Sequence, residues 1–338
     1  MKLPEYKSFK QKEKNFTIHY IDTIDEFRDL LKNHSDSLGI YRGISQSSYK
    51  IYTSLQRQII EKGLKNFNIE NYIKEARNQS MLKKYFTTFK IIPSKLSIWS
   101  YLQHYGAPTP LIDFTYDILK AIYFAIEKFD ESNFESKGGI VDRFSVFFIS
   151  NSDIKLLDIE DVYKDQVEYK KRAEDVFNSY PPEKDFDYNS LLEHIDRMLD
   201  INVLEIFMLE NKEAYVEIFN LYNNIRIIAQ EGLFINNSYL DVPFEEGLKK
   251  FFTQATRFQA SPWDDIDTPE AEKINNNYLD QLEKNKEYQR KFEENIIHSY
   301  EIKKELIPEI RKLCFISKKD IYPNEEEIAW KIFLDSIK

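Results

Sequence analysis

Three short stretches, distant along the chain, gather the side chains that could do chemistry. In "YRG", Tyr41 to Gly43, Arg42 closes a short apolar run. A guanidinium is permanently charged and planar, and grips a pyrophosphate or carboxylate through two parallel hydrogen bonds. Read alone, the tripeptide fits a surface arginine before a turn glycine better than an anion clamp. "LQHYGAPTPLIDFT", Leu102 to Thr115, packs His104, Tyr105, Gly106, two prolines, Asp113 and two threonines into fourteen residues. His104 and Tyr105 precede a glycine turn from which their polar tips can reach a cavity. Asp113 can serve a ligand, cap the following helix or pair with an arginine. "NNIRIIAQEGLFI" sets Gln230 and Glu231 beside Gly232 at the start of an apolar run. Those two can meet a ligand or simply close a turn.

Several familiar chemistries are missing. The sequence has no P-loop, GxGxxG, HExxH or GxSxG pattern. Its histidines, His19, His34, His104, His194 and His298, are far apart in sequence and form no helical ligand pair. Cys314 is the single cysteine, which excludes an intrachain disulfide and a cysteine zinc site. Its apolar surroundings suit a buried, inert thiol. No metal is expected. A hydrolase or nuclease built on Asp113, His104 and Glu231 ranks last, since it lacks a metal-ligand cluster and the chain is acidic.

The elements that must position these residues can be read from pattern. At 338 residues, with 42% apolar and 15% aromatic content, the chain can bury a sizeable core. Its net charge of −10 argues against a broad nucleic-acid surface, because nonspecific affinity comes from Lys and Arg displacing counterions. Cysteine usage suits a reducing cytoplasm. No run approaches the ~20 apolar residues that span a bilayer, and no signal segment opens the chain, so neither membrane nor export is expected. Only 8 glycines occur, which points each toward positive φ or close backbone approach.

Thr23 and Glu26 form a capping box for a helix through "IDEFRDLLKNH". "LGIYRG" reads as a short strand. "SLQRQIIEKG" is a helix stopped by Gly63, and one long helix runs from Ile69 to about Phe89. A further helix from Ser94 to Tyr105 feeds the polar stretch, where Pro108 and Pro110 force extended chain through "PLIDF". Thr115 then caps "YDILKAIYFAIEKF", whose Ile118, Ile122, Ala125, Ile126 and Phe129 mark a buried face. "IVDRFSVFFIS", "AYVEIFN", "GLFIN" and "IIHSYEI" read as strands. Residues 151–210 are irregular. Beyond Val242 the chain reads as mostly helical, from "FEEGLKKFFTQA" to "NEEEIAWKIFLDSI". Strands and helices mix without βαβ alternation, so an α+β fold is expected.

"YRG" followed by "SLQRQ", then "LQHYGAPTPLIDFTYDILKAIYFA", then "RIIAQEGLF", resembles the FRG domain of bacterial proteins, named for its Phe/Tyr-Arg-Gly motif. The closing "EIKKELIPEIRKLCFISKKDIYPNEEEIAWKI" resembles their usual tail, so the likeness runs from about 18 to 338. One departure is plain: where the family usually carries Arg between Thr and Leu of the central motif, this chain has Pro110. The resemblance implies an FRG domain over 18–240, with an insertion near 151–210 and a mostly helical part over 241–338. It also implies a small mixed or antiparallel sheet of ADP-ribosyltransferase-like type with surrounding helices.

By that likeness Arg42 holds the pyrophosphate or ribose of NAD, Thr115 buttresses the nicotinamide pocket, and Tyr123 stacks on nicotinamide. His104, Tyr105 and Asp113 join them at the cleft, and the catalytic position falls to Gln230 or Glu231. Breaking the nicotinamide–ribose bond develops an oxocarbenium-like cation that a carboxylate stabilises. Gln230 carries no negative charge, and on a strand Glu231 points the opposite way. The implied activity is therefore an ADP-ribosyltransferase or NAD glycohydrolase, of a kind that suits a toxin or anti-phage effector with a macromolecular acceptor or regulatory partner protein. The alternative is a non-catalytic module that binds a nucleotide or a protein.

Overall fold

In a computed structural model of the chain, residues 2–35, 38–89, 91, 93, 95–154, 175–176, 178–179, 206–209, 228–255 and 294–323 are described. Among them seven strands form one mixed sheet: β1 (Thr17–Ile21), β2 (Gly39–Ile44), β3 (Leu111–Thr115), β4 (Arg143–Ser150), β5 (Ile206–Leu209), β6 (Gly232–Asn237) and β7 (His298–Lys303). Their spatial order is β1-β7-β4-β2-β3-β6-β5. All pairs are antiparallel except β1 with β7. The fold is α+β. β7 lies between β1 and β4, so the segment 241–338 contributes to the sheet as well as carrying helices.

Local chemistry sets most helix ends. Thr23 Oγ1 accepts from Glu26 N, and Glu26 Oε2 accepts from Thr23 N, which opens the helix Ile24–Asn33. Thr53 and Gln56 repeat the device for Ser54–Lys62, and Gly63 ends that helix at φ 63. The long helix expected from Ile69 is two, Ile69–Asn78 and Ser80–Thr88. Gln79 leaves the helical region at ψ 117, while Ile73, Ala76, Leu82 and Phe86 keep a helix-like apolar spacing across the break.

A second correction concerns Thr115. The helix Ile118–Ile126 is capped by Asp117, whose Oδ1 accepts from Leu119 N at 2.7 Å. Thr115 ends β3 instead, and its hydroxyl accepts from Asp117 N at 3.1 Å.

The sheet is covered on both faces. On one, Ile40, Ile112, Phe114, Phe147, Ile149 and Ile235 pack with Phe16 and with Phe244 and Leu248 of the helix Phe244–Ala255. On the other, Tyr41, Phe144, Val146 and Ile302 meet the helices Ile24–Asn33, Ile118–Ile126 and Ile307–Leu313. Ile118, Ile122, Ala125 and Ile126 are buried there, the face that helical periodicity marks out. β1 and β5 were not legible as strands: both are edge strands, and β1 alternates weakly, with its first four residues only half-buried or exposed. "AYVEIFN" and "NEEEIAWKIFLDSI" lie outside the described residues. Among the described residues no helix is long and apolar enough to cross a membrane.

Candidate functional site

β2 and β3 touch at one register pair, Tyr41↔Thr115, whereas β2 pairs with β4 over six positions and β3 with β6 over five. The sheet therefore splays between its central strands. A carbonyl on the open side of β3 loses the ladder partner that a buried acceptor needs. Arg42 fills the gap: its Nη1 donates to the Asp113 carbonyl across the split. A recess of about 500 Å³ opens at this point, with Arg42, Arg57, Asp113, Thr115, Glu127 and Gln230 among its lining.

Gly43 explains why the cleft wall stands so close. A Cβ there would lie 1.8 Å from the Ala121 carbonyl oxygen and 3.0 Å from Ala125 N, so the helix Ile118–Ile126 rests directly on the strand backbone. With Tyr41 and Gly43 turned to that helix, alternation sends the Arg42 side chain to the opposite face. Arg57, one turn into the helix Ser54–Lys62, lines the same recess. Burial pulls the Arg42 pKa down to about 10; Asp113 works against this, and the positive charge of Arg57 adds to it. Arg42 thus stays charged at neutral pH. Its Nε is buried with no hydrogen-bond partner. Among the described residues neither guanidinium has a carboxylate within ion-pair distance. Two guanidinium groups face one hollow, with Lys128, Asp113 and Glu127 also in its lining.

The polar stretch after Leu102 is the clamp for this arrangement. Gly106 ends the helix Lys95–His104 at φ 75, with Ala107 N returning to Leu102 O at 2.9 Å and Gly106 N to Gln103 O at 3.1 Å. That is a Schellman stop, which only a residue at ease with positive φ adopts cheaply. Thr109 Oγ1 then donates to Gln103 Oε1, while Gln103 Nε2 donates to both Asp113 oxygens at 3.1 Å. Thr109 N donates to Ser54 Oγ at 2.9 Å, tying the helix of Arg57 to the start of β3. Pro110 offers only its carbonyl, which accepts from Asn237 N at 2.9 Å.

The residues singled out from sequence divide into two groups. Arg42, His104, Asp113, Thr115 and Gln230 all line the recess. Thr115 is 2% exposed and donates to the Gln230 carbonyl at 2.6 Å, so it shapes the wall by holding the turn before β6. Gln230 Nε2 donates to Ile321 O at 3.2 Å. Glu231, Tyr105 and Tyr123 are not among the lining residues. Glu231 has a left-handed backbone, φ 45, and its carboxylate pairs with Lys120 Nζ at 2.8 Å. Tyr105 is exposed and stacks beside Tyr101. Phe124 lines the recess where Tyr123 does not, since neighbours on a helix point about 100° apart.

Sequence reasoning missed Arg57, Glu127 and Tyr322 of the lining, as well as Gln103, Phe124 and Lys128. Arg57 sits inside the quoted "SLQRQ", and its signal was a cation on the partly buried helix that follows "YRG". Glu127 brings a carboxylate to the recess and accepts from the Tyr322 hydroxyl at 3.2 Å. Tyr322 packs edge-on to Phe124, centroids 6.3 Å apart, giving the wall an aromatic edge. Elsewhere, burial, with a smaller push from Asp117, moves the Cys314 thiol up to about 11, so thiolate is scarce at neutral pH.

No curated protein and no solved structure matches the chain. One family model does, and its span runs from just before β2 to just past the helix Ile118–Ile126, taking in Arg42, Arg57, Asp113, Thr115 and Glu127 but not Gln230. Residues 37–133 match the FRG domain.

Proposed function

We propose that the recess binds a nucleotide carrying a diphosphate, with NAD as the candidate, and that the chain transfers ADP-ribose or hydrolyses NAD there. One observation carries this reading: Arg42 and Arg57 face a common hollow with no carboxylate within ion-pair distance among the described residues, and Arg42 Nε is buried and unbonded. A diphosphate supplies two negative charges and acceptor oxygens for Arg57 and for the Arg42 donors that the Asp113 carbonyl leaves unused. Phe124 and Tyr322 offer ring edges for a base or for nicotinamide.

In such a site the bond between nicotinamide and ribose C1′ breaks, and nicotinamide leaves with the bonding electrons as a neutral base. Water or an acceptor's hydroxyl or amine forms the new bond to C1′ and gives up a proton. Asp113, held by Gln103, and Glu127 are the carboxylates placed to oppose the growing positive charge on the ribose. Gln230 orients the ligand through its amide. Glu231, paired outward with Lys120, takes no part in this scheme.

That same outward pairing favours a second reading, in which the recess binds a nucleotide without chemistry. Purified protein incubated with NAD separates the two. Release of nicotinamide that Glu127→Gln lowers at least tenfold and Arg42→Ala abolishes supports the enzyme. A rise in melting temperature with NAD left intact supports the binding module. No shift and no release with NAD, ADP or ADP-ribose refutes both. The placement within toxins or anti-phage effectors and the macromolecular acceptor come from the family likeness, and the cytoplasmic location from cysteine usage.

A further inference from the structure

Both carboxylates that line the recess are held by neutral groups, and at Asp113 the hydrogen bonds run in one direction. Leu111 N donates to Thr109 Oγ1 at 3.3 Å, the Thr109 hydroxyl donates to Gln103 Oε1, and Gln103 Nε2 donates to both Asp113 oxygens at 3.1 Å. A backbone N–H can only donate, which anchors the start of this relay. With the amide reversed, the Gln103 carbonyl would face two carboxylate oxygens and gain no bond there. Thr109 is fully buried, so the relay is fixed to the body of the protein. Asp113 itself is exposed, within reach of a ligand. Arg42 takes only its backbone carbonyl.

Glu127 is treated alike. It accepts from the Tyr322 hydroxyl at 3.2 Å and caps the C-terminal end of the helix Ile118–Ile126, where the helix dipole adds partial negative charge. Among the described residues neither carboxylate has a cation within ion-pair distance. Counted as formal charges, Arg42, Arg57 and the exposed Lys128 exceed Asp113 and Glu127 by one. A ligand with a doubly charged diphosphate and one positive charge elsewhere balances that lining. A ligand without the positive charge overshoots it and sets a neutral group against two uncompensated carboxylates.

We propose that the recess selects a dinucleotide with a positively charged ring, the oxidised form of the nicotinamide dinucleotide over the reduced form. Asp113 and Glu127 are the specificity-determining residues, and Gln103 is a positioning residue that acts through Asp113. The inference rests on the nucleotide reading and holds whether or not the bond to nicotinamide is broken. The two forms share adenine, both riboses and the diphosphate, and differ in the charge of the ring. The ratio of their affinities therefore isolates what the carboxylates contribute, which a merely structural role of Gln103 would leave unmoved.

The test is isothermal titration calorimetry on the full chain with NAD, NADH and ADP-ribose; if nicotinamide is released, the uncleavable carbocyclic analogue replaces NAD. NAD is expected to bind about tenfold more tightly than NADH. Gln103→Met keeps the side-chain length without the amide, and is expected to bring that ratio down to about threefold or less, as is Glu127→Gln. Thr109→Val should act like Gln103→Met, and Thr109→Ser should keep the parent ratio. In Gln103→Met the affinity for ADP-ribose should fall less than that for NAD. Gln103 is half-buried, so this variant carries the test if Thr109→Val does not fold. Equal binding of NAD and NADH, with ADP-ribose still bound, overturns the selectivity and leaves the nucleotide reading standing. Folded Gln103→Met that keeps the parent ratio overturns the positioning role. Absence of binding by all three ligands refutes the nucleotide reading and this inference with it.

Discussion

Lys12 and Arg42 are both cations drawn into the body of the protein, in opposite circumstances. Lys12 is fully buried, and its ammonium meets Glu301 Oε1 at 2.6 Å, Ser145 Oγ at 2.8 Å and the Ser47 carbonyl at 3.0 Å. Three donors find three acceptors. Glu301 in turn accepts from Ser299 at 2.6 Å and Ser145 at 3.0 Å, and the Phe147 ring lies 4.9 Å from the ammonium. Arg42 has one bond to a carbonyl, an unbonded Nε and a second guanidinium opposite. The first knot is closed and ties the N-terminal segment to β4 and β7. The second is open, and only an added anion completes it. A filled polar cluster holds structure together; an unfilled one beside a hollow is where a ligand belongs.

The contrast can be broken at either end. Lys12→Met should be the most damaging change, because it strands the Glu301 carboxylate without its counter-charge, at a cost of about 3–5 kcal/mol in denaturant titration. Pairing it with Glu301→Leu should recover most of that loss; a double variant no better than the single would show that Lys12 is not the filled member of the pair. Gly43→Ala comes next, at about 1–3 kcal/mol, since its methyl group would collide with the Ala121 carbonyl and push the cleft wall away. A weakened NAD thermal shift should accompany it.

A third effect is pH-dependent and belongs to neither knot. His19 Nε2 and His298 Nδ1 are 2.9 Å apart, and His34 sits between the hydroxyls of Tyr41 and Tyr300 at 2.9 and 2.8 Å. Burial is the largest cause that lowers all three imidazoles below 6.5; neighbouring imidazoles add to it for His19 and His34, while Asp153 opposes it at His298. The folded state therefore holds fewer protons than the unfolded chain below that value. Stability is complete above pH 6.5 and falls as the medium is acidified below it. Melting temperatures between pH 7.5 and 5 should show this decline, and His19→Asn should flatten it. A profile that rises on acidification would contradict the burial argument. Smallest in stability are Arg42→Gln and Arg57→Gln, each within about 1 kcal/mol of the parent chain by denaturant titration. Each should nonetheless abolish the NAD thermal shift. A large stability loss at either would make the open knot a closed one.

Legibility followed range of interaction. The Thr23 capping box, the Gly63 and Gly106 stops and the strand through "LGIYRG" rest on groups within a few residues of each other, and all could be read; the Thr53 box is as local but was missed. The histidines looked scattered because spacing along the chain conceals that β1 and β7 are paired neighbours. Glycine scarcity pointed usefully to Gly43 and Gly106. At Gly232 the strained backbone belongs to Glu231 instead.

The sequence by itself determined that a guanidinium sits on an early strand, that a clamp of turn residues leads into β3, and that an apolar helix follows. These are consequences of local hydrogen bonding and of side-chain period. Only the tertiary structure decided that β2 and β3 part after one register pair, that Arg57 comes to face Arg42, and that Gln230 and Phe124 reach the hollow where Glu231 and Tyr123 do not. Those outcomes depend on pairing between segments up to about 190 residues apart and on rotations of one position about an axis. Neither leaves a mark in the order of the residues.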